Sequence, residues 1–334
     1  MRERLVTWML RVEAYSRLHL GQLDLNGSLG RMYGGIGVAL EDPKIVILAE
    51  EHHELNVFGN DARRVRDIAG DFLSKAGIKG GAKLRVKETI PVHVGFGSSV
   101  QLRMAVGIIL ARLHNVRCEI EDIARIVLRG FRADACLGLF EHGGLVVAGG
   151  IPRGFDRQEA DFVVPPIIFH HSVPDNWYFI VVTPETATEF RAKRERISLE
   201  LLPPIPPEDV GLICRLLIMQ LLPALLEENI DSFGQALTEI QWTIGKQFAS
   251  MQGGLYSRPS AEGILRQLLK SGATGTGQSS WGPTIYGIVE GKEAARTSEA
   301  MLHKYLEESG VRAQVRCIRA CNHGVRLKRI AGED

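Results

Sequence analysis

The sequence lacks any paired arrangement of cysteines. Its five, Cys118, Cys136, Cys214, Cys317 and Cys321, are odd in number and scattered, with none in a C-x-x-C pair. That spacing argues against a disulfide framework or a zinc site and for a reduced, cytoplasmic chain. Net charge is also missing: 40 Lys and Arg against 39 Asp and Glu leave +1. No global field therefore draws the chain to nucleic acid or to a membrane surface, and any anion site has to be built locally. Long hydrophobic runs are absent as well. The most apolar helix, near Leu212–Leu226, contains Arg215 and Pro223 and reads as too short to span a bilayer. The opening MRERLVTWMLRVEAYSRLHL has only short apolar runs broken by charge, so it reads as neither signal peptide nor anchor. His52 and His53 have no third ligand spaced nearby, which favours a solvated loop over a metal pair. No repeat of solenoid length is visible. What remains is a 334-residue chain, 45% hydrophobic and 24% charged, long enough for two lobes around a sizeable core.

The most informative stretch is IPVHVGFGSSVQLRMAVGIILARL, residues 90–113. A strand-like run ends at Ile90-Pro91, a glycine and serine turn follows, and a long apolar helix begins. Ser98 and Gln101 fit the S-x-x-Q capping box, which places Ser98 at the N-cap. Unpaired amides and the positive end of a helix beside a flexible turn suit a phosphate; a tight turn entering a core helix is the alternative.

Around this stretch the periodicities give strands at Val12–Leu20, Ile36–Leu40 and Lys44–Glu50, the last two paired across a Glu41-Asp42-Pro43 turn. Asp61–Ala76 is an amphipathic helix with Asp61 as N-cap. Gly130–Gly150 reads as a hairpin-like segment carrying the polar candidates Asp134, Cys136, Glu141 and His142. Phe162–His170 and Trp177–Thr183 are further strands, with an internal boundary near Ser172 dividing residues 1–171 from 172–334. Long helices at Glu208–Glu228 and Ile230–Met251 are apolar enough to pack on each other or on a second subunit, so a homodimer is expected. A second small-residue loop, Gly272–Pro283, leads to a strand, the helix Ala294–Glu308 and the strand Ala313–Arg319. The polar tail Cys321–Asp334 reads as partly disordered. This order is α+β in two lobes, with the two small-residue loops meeting at a cleft.

With these pieces in place, the chain resembles the GHMP small-molecule kinase superfamily along nearly its whole length. Three glycine-rich motifs occur in order at Arg17–Leu40, Pro91–Ser99 and Gly272–Thr284, and P-x-x-x-G-F-G-S-S is close to the loop that wraps nucleotide phosphates in the kinases. Within the superfamily the chain is most similar to the β-ribofuranosylaminobenzene 5′-phosphate synthase family of methanopterin biosynthesis. The residues that carry this are Arg17–Leu20 with Asp24–Gly27 and Gly34–Gly37, His93–Ser98, Phe140–Gly144, Phe233-Gly234 with Gln252–Gly254, and Gly277–Pro283. The resemblance implies a GHMP-kinase-like fold with a ribosomal-protein-like first lobe and an α/β second lobe. It further implies transfer of a phosphoribosyl group from 5-phosphoribosyl 1-pyrophosphate to 4-hydroxybenzoate or 4-aminobenzoate, with loss of pyrophosphate and carbon dioxide, and with magnesium accompanying the pyrophosphate.

That chemistry makes three demands. The leaving pyrophosphate needs donors, for which Gly95, Gly97, Ser98 and Ser99 are candidates, with Gln278, Ser279, Ser280 and Trp281 completing the binding loops. The cationic ribosyl centre needs a carboxylate, Asp24 or Glu141, with His142 beside the latter. The benzoate carboxylate needs a cation, Arg17 or His19, and Trp281 offers its ring an apolar face. Arg17 has an alternative, pairing with Glu13 or Glu50 at the sheet surface. The family's small-residue run before F-E-x-G-G is replaced here by Arg129–Gly138. Asp134 in that segment suits a catalytic base, which keeps an ATP-dependent small-molecule kinase as the rival reading.

Overall fold

A computed structural model describes residues 8–129, 131, 133, 135–154, 162–185 and 205–331. Its frame is two sheets. The first is built on two long strands, β1 (Trp8–Asp24) and β2 (Arg31–His52), antiparallel to each other. The far flank of β2 is shared between partners. It takes β4 (Gly81–Glu88), with β3 (Asn56–Gly59) parallel outside it, and separately β5 (Leu145–Ala148), with β7 (Ile167–His171) beyond. A short β6 (Ile151–Pro152) pairs with the start of β2. The second sheet is wholly antiparallel, in the order β11 (Ala313–Arg319), β8 (Trp177–Pro184), β10 (Ile285–Glu290), β9 (Gly275–Gln278).

Two expectations are corrected here. Ile36–Leu40 and Lys44–Glu50 are successive parts of the single strand β2, not neighbours across a turn. β1 pairs with both, Ser16 opposite Leu40 and Tyr15 opposite Lys44, so Glu41-Asp42-Pro43 bulges out of the ladder. Proline has no N–H to give to a ladder, and a bulge is where a sheet tolerates it. The polar tail, in turn, forms β12 (Arg326–Ala331), which pairs with β1 from Trp8 opposite Ala331 to Glu13 opposite Arg326. Leu327 and Ile330 of β12 are half-buried while Arg326, Lys328 and Arg329 are exposed. Charge along an edge strand discourages further pairing.

Helices cover the sheets. α1 (Ala62–Lys75) buries the expected stripe Val65, Ile68, Ala69, Phe72 and Leu73. α2 (Ser98–Leu113) is buried on nearly every side, as a helix apolar all round must be, and packs on β1, β2, α1 and α3 (Ile120–Val127). The hairpin-like reading of residues 130–150 is replaced by a helix, α4 (Cys136–His142), followed by β5. In the second lobe, α5 (Pro207–Leu226) contains one π turn at Leu217–Leu221 and packs on α6 (Ile230–Gln252). At 20 residues α5 is long and apolar enough to cross a membrane, against the expectation that its apolar part is too short, yet Ile213, Leu217, Leu221, Leu222, Ala224 and Leu225 face the protein core. α7 (Ser260–Lys270) and α8 (Lys292–Ser309) complete the chain. One apolar core runs through both lobes and includes Leu18, Leu20 and Phe96 from the first and Phe233, Leu237 and Ile240 from the second. Phe96 alone, 1% exposed, contributes about 1.5–3 kcal/mol on burial. It anchors the glycine turn where the lobes meet.

Candidate active site

The turn before α2 is held from three directions. The Arg17 amide of β1 donates to the Phe96 carbonyl at 3.1 Å, and the Thr284 amide donates to the Val94 carbonyl at 3.2 Å. The Arg17 side chain crosses over the turn: Nη1 donates to the Gly95 carbonyl at 2.8 Å and Nε to the Cys136 sulfur at 3.2 Å. Glu13 and Glu50, the alternative partners, are taken by Arg11 and Lys44 and by Lys83. Gly97 has φ of 74°, and a Cβ there would meet the Arg17 Cγ at 2.9 Å. Only glycine lets the guanidinium lie this close to the start of the helix.

The helix start itself differs from expectation. Gly97 is the N-cap, Ser98 is the first helical residue, and no side chain caps the end. Gln101 turns inward and donates to the Cys136 carbonyl instead. The first intrahelical bond is Gln101 amide to Gly97 carbonyl, so the amides of Ser98, Ser99 and Val100 have no carbonyl within the helix. They border an open cleft of about 320 Å³, lined also by Arg17, Gly95, Gly97, His93, Phe131 and Trp281. Arg64 of α1 donates to the Ser99 hydroxyl at 2.9 Å and adds a second cation. Unpaired amides, a positive helix end and two guanidiniums make an anion site.

The third loop fastens this site together. The Ser279 hydroxyl donates to the Gly95 carbonyl at 2.7 Å and accepts from the His19 amide at 2.9 Å, so one buried oxygen joins all three glycine-rich motifs. Gln278 receives the Ser257 amide on its side-chain oxygen and donates to the Ser280 carbonyl. Gln241 of α6 donates to the Leu20 carbonyl and accepts from the Gln278 amide. Gln278 and Ser279 are thus occupied with protein partners, while Ser280 and Trp281 line the cleft.

Behind the cleft lies a smaller cavity of about 40 Å³, which shares His19, Ser280 and Trp281 with it. Trp281 meets Phe248 of α6 edge-on at 4.5 Å. His19 is 5% exposed, and burial, with the neighbouring Arg17 charge as a lesser cause, pulls its pKa down to about 3. Its ring is therefore neutral near pH 7 and supplies no cation to a carboxylate; of the two candidates, Arg17 keeps that capacity.

Several expected residues stand elsewhere. Asp24 ends β1, where its Oδ1 accepts from the Asn26 and Gly27 amides in a local turn, and it lines neither cavity. Glu141 and His142 end α4, 3.6 Å from each other, with His142 against the His170 ring; neither lines the cleft or the smaller cavity behind it. Asp134 lies outside the described residues. Among the described residues no carboxylate lines the cleft and no His, Cys, Asp and Glu group could hold a metal. The described lining therefore does not fit a protein-held magnesium. Sequence reasoning missed Arg64, Phe131 and Gln241, whereas Cys136, a polar candidate of the segment before Glu141, does line the cleft. Arg64 left one trace, a basic pair in the first turn of a helix where acidic residues are the rule.

Fold and site together define the GHMP kinase class. The GHMP kinases N terminal domain model matches residues 63–143, and the GHMP kinases C terminal model matches residues 221–308. Homoserine kinase from Cytophaga hutchinsonii superposes with a TM-score of 0.68 over 98% of this chain and 99% of that one, at 18% identity. More specific likenesses come from sequence. The beta-ribofuranosylphenol 5′-phosphate synthase of Archaeoglobus fulgidus is 34% identical over 96% of this chain and its entire length. That of Methanocaldococcus jannaschii is 31% identical over 95% of this chain and 99% of the relative. The chain belongs to this synthase family, whose members are pentosyltransferase-type enzymes within the GHMP fold.

Proposed function

We propose that the chain condenses 5-phosphoribosyl 1-pyrophosphate with 4-hydroxybenzoate in methanopterin biosynthesis, the relatives' printed product being the phenol. The supporting observation is the Ser279 hydroxyl, which locks the first and third motifs onto a turn whose helix amides face the cleft. The ring carbon bearing the carboxylate bonds to the anomeric carbon of the ribose, and the bond to pyrophosphate breaks with its electron pair on the leaving oxygen. The ring–carboxyl bond then breaks, its pair restores aromaticity, and carbon dioxide departs. No proton moves at the ring carbon, so the step makes no demand on His19, whose buried ring stays neutral.

The amides of Ser98, Ser99 and Val100, with Arg17 and Arg64, meet the charge that grows on the pyrophosphate. Such preorganised donors are worth about 10²–10³-fold each in rate. Magnesium would come as part of the pyrophosphate substrate, since no carboxylate of the described lining is placed to hold it. The test is incubation with carboxyl-labelled 4-hydroxybenzoate, 5-phosphoribosyl 1-pyrophosphate and magnesium. Label released as carbon dioxide together with pyrophosphate supports the reading. ATP consumed with a small alcohol and no decarboxylation replaces it with a kinase.

A further inference from the structure

The inner cavity has no role in the phosphate chemistry, and its lining is unusual in one respect. Behind His19, Ser280 and Trp281 it is walled by Gln22, Ile244 and Phe248, and among the described residues no charged side chain lines it. Its polar groups are neutral: amides, hydroxyls, the Trp281 indole and the His19 imidazole. Gln22 Nε2 lies 3.2 Å from His19 Nε2, so the imidazole and the amide form a neutral pair at the boundary between cavity and cleft. The cavity, about 40 Å³, has room for roughly three water-sized groups.

We infer that this cavity receives the para substituent of the aryl acceptor and selects small, uncharged substituents, while the carboxylate end remains in the cleft. The inference rests on the function proposed above. The reacting ring carbon must stand beside the ribosyl centre, hence near the phosphate cradle. The para position lies at the opposite end of the ring and so points away from that cradle, through the shared boundary of His19, Ser280 and Trp281. The charges of the two compartments agree with this direction. The cleft is bordered by Arg17 and the positive end of α2, which suit anionic groups, whereas an ion driven into the inner cavity meets no counter-charge among the described residues and loses its water at a cost of several kcal/mol. Size acts in the same sense. A hydroxyl or an amine fits; a longer group runs into Phe248, which the edge-on contact with Trp281 holds in place.

Acceptor competition tests this on the whole protein, with 5-phosphoribosyl 1-pyrophosphate and magnesium present. The acceptors are 4-hydroxybenzoate, 4-ethoxybenzoate and terephthalate, the last carrying a charge at the para position. The wild type is expected to use the first and to reject the other two. In Phe248→Ala the ratio of kcat/KM for 4-ethoxybenzoate to that for 4-hydroxybenzoate rises about tenfold or more, the scale for relieving one or two carbon groups in a pocket. Ile244→Ala serves the same purpose should the first variant fail to fold. Terephthalate turned over as well as 4-hydroxybenzoate, or an unchanged ratio in the folded variants, overturns the inference while leaving the reaction standing. Absence of transfer to every acceptor overturns the proposed reaction and this inference with it.

Discussion

The two small-residue loops look alike as sequence and behave oppositely in the structure. Gly95–Ser99 gives its Gly95 and Phe96 carbonyls to protein donors but leaves the first-turn amides of Ser98, Ser99 and Val100 at the border of open space. Gln278–Ser279 turns its polar groups inward, onto Gly95, His19, Ser257 and Ser280. One loop offers itself to a ligand and the other holds the first in shape. Glycine and serine content cannot separate these roles, because the same small side chains permit close approach to a phosphate or to another stretch of backbone.

The contrast can be broken at its strongest point by Gly97→Val. A side chain there is strained by the positive φ and displaces Arg17, so kcat/KM falls at least about 100-fold while the melting temperature drops modestly. An unchanged kcat/KM would show that Arg17 is not needed in its present place. Ser279→Ala reverses the emphasis. It leaves the buried His19 amide without its acceptor, while the Gly95 carbonyl keeps Arg17, and the loss costs about 1–3 kcal/mol in denaturant unfolding. If the loop only fastens, the loss in kcat tracks the loss of fold and KM for the pyrophosphate substrate moves little.

A smaller effect concerns pH. His19 has a folded pKa of about 3 against about 6.5 when unfolded, so the unfolded chain takes up the proton first as pH falls. The stability tied to the neutral ring is complete above pH 6.5 and declines between 6.5 and 3, by roughly 1.4 kcal/mol per pH unit. Unfolding of His19→Gln compared with wild type at pH 7 and pH 5 is expected to show a shallower acid loss; parallel losses would mean that His19 is protonated in the folded state. Least of all, Ser99→Ala removes one hydroxyl that Arg64 already occupies. KM for 5-phosphoribosyl 1-pyrophosphate rises a few-fold, about 0.5–1.5 kcal/mol, and kcat stays.

Much of this architecture is legible in the sequence where the determining forces are local. The α1 stripe, the length of α6 and the turn before α2 follow from periodicity and glycine placement. What escaped is set by distant partners. Pro43 reads as a turn until β1 is seen running past it on both sides. Residues 326–331 read as a loose tail because an edge strand needs only Leu327 and Ile330 toward the protein. Ser98 fits a capping box, yet Cys136 lies close enough to draw Gln101 away. Asp24 and Glu141 are where motif matching alone puts a carboxylate; in three dimensions the first serves a turn and the second ends a helix beyond the cleft.

The pairing of β12 with β1 also bears on how the chain is made. β1 carries Arg17 and His19, yet one of its edges stays uncovered until residues 326–331 have been synthesised. Through most of translation this strand presents, along Trp8–Glu13, a row of unsatisfied N–H and C=O groups, and its closure waits on a contact spanning more than three hundred residues. Stalled or truncated chains that stop before Arg326 therefore carry an open, apolar strand edge, and aggregation during biosynthesis is the hazard this topology has to outrun.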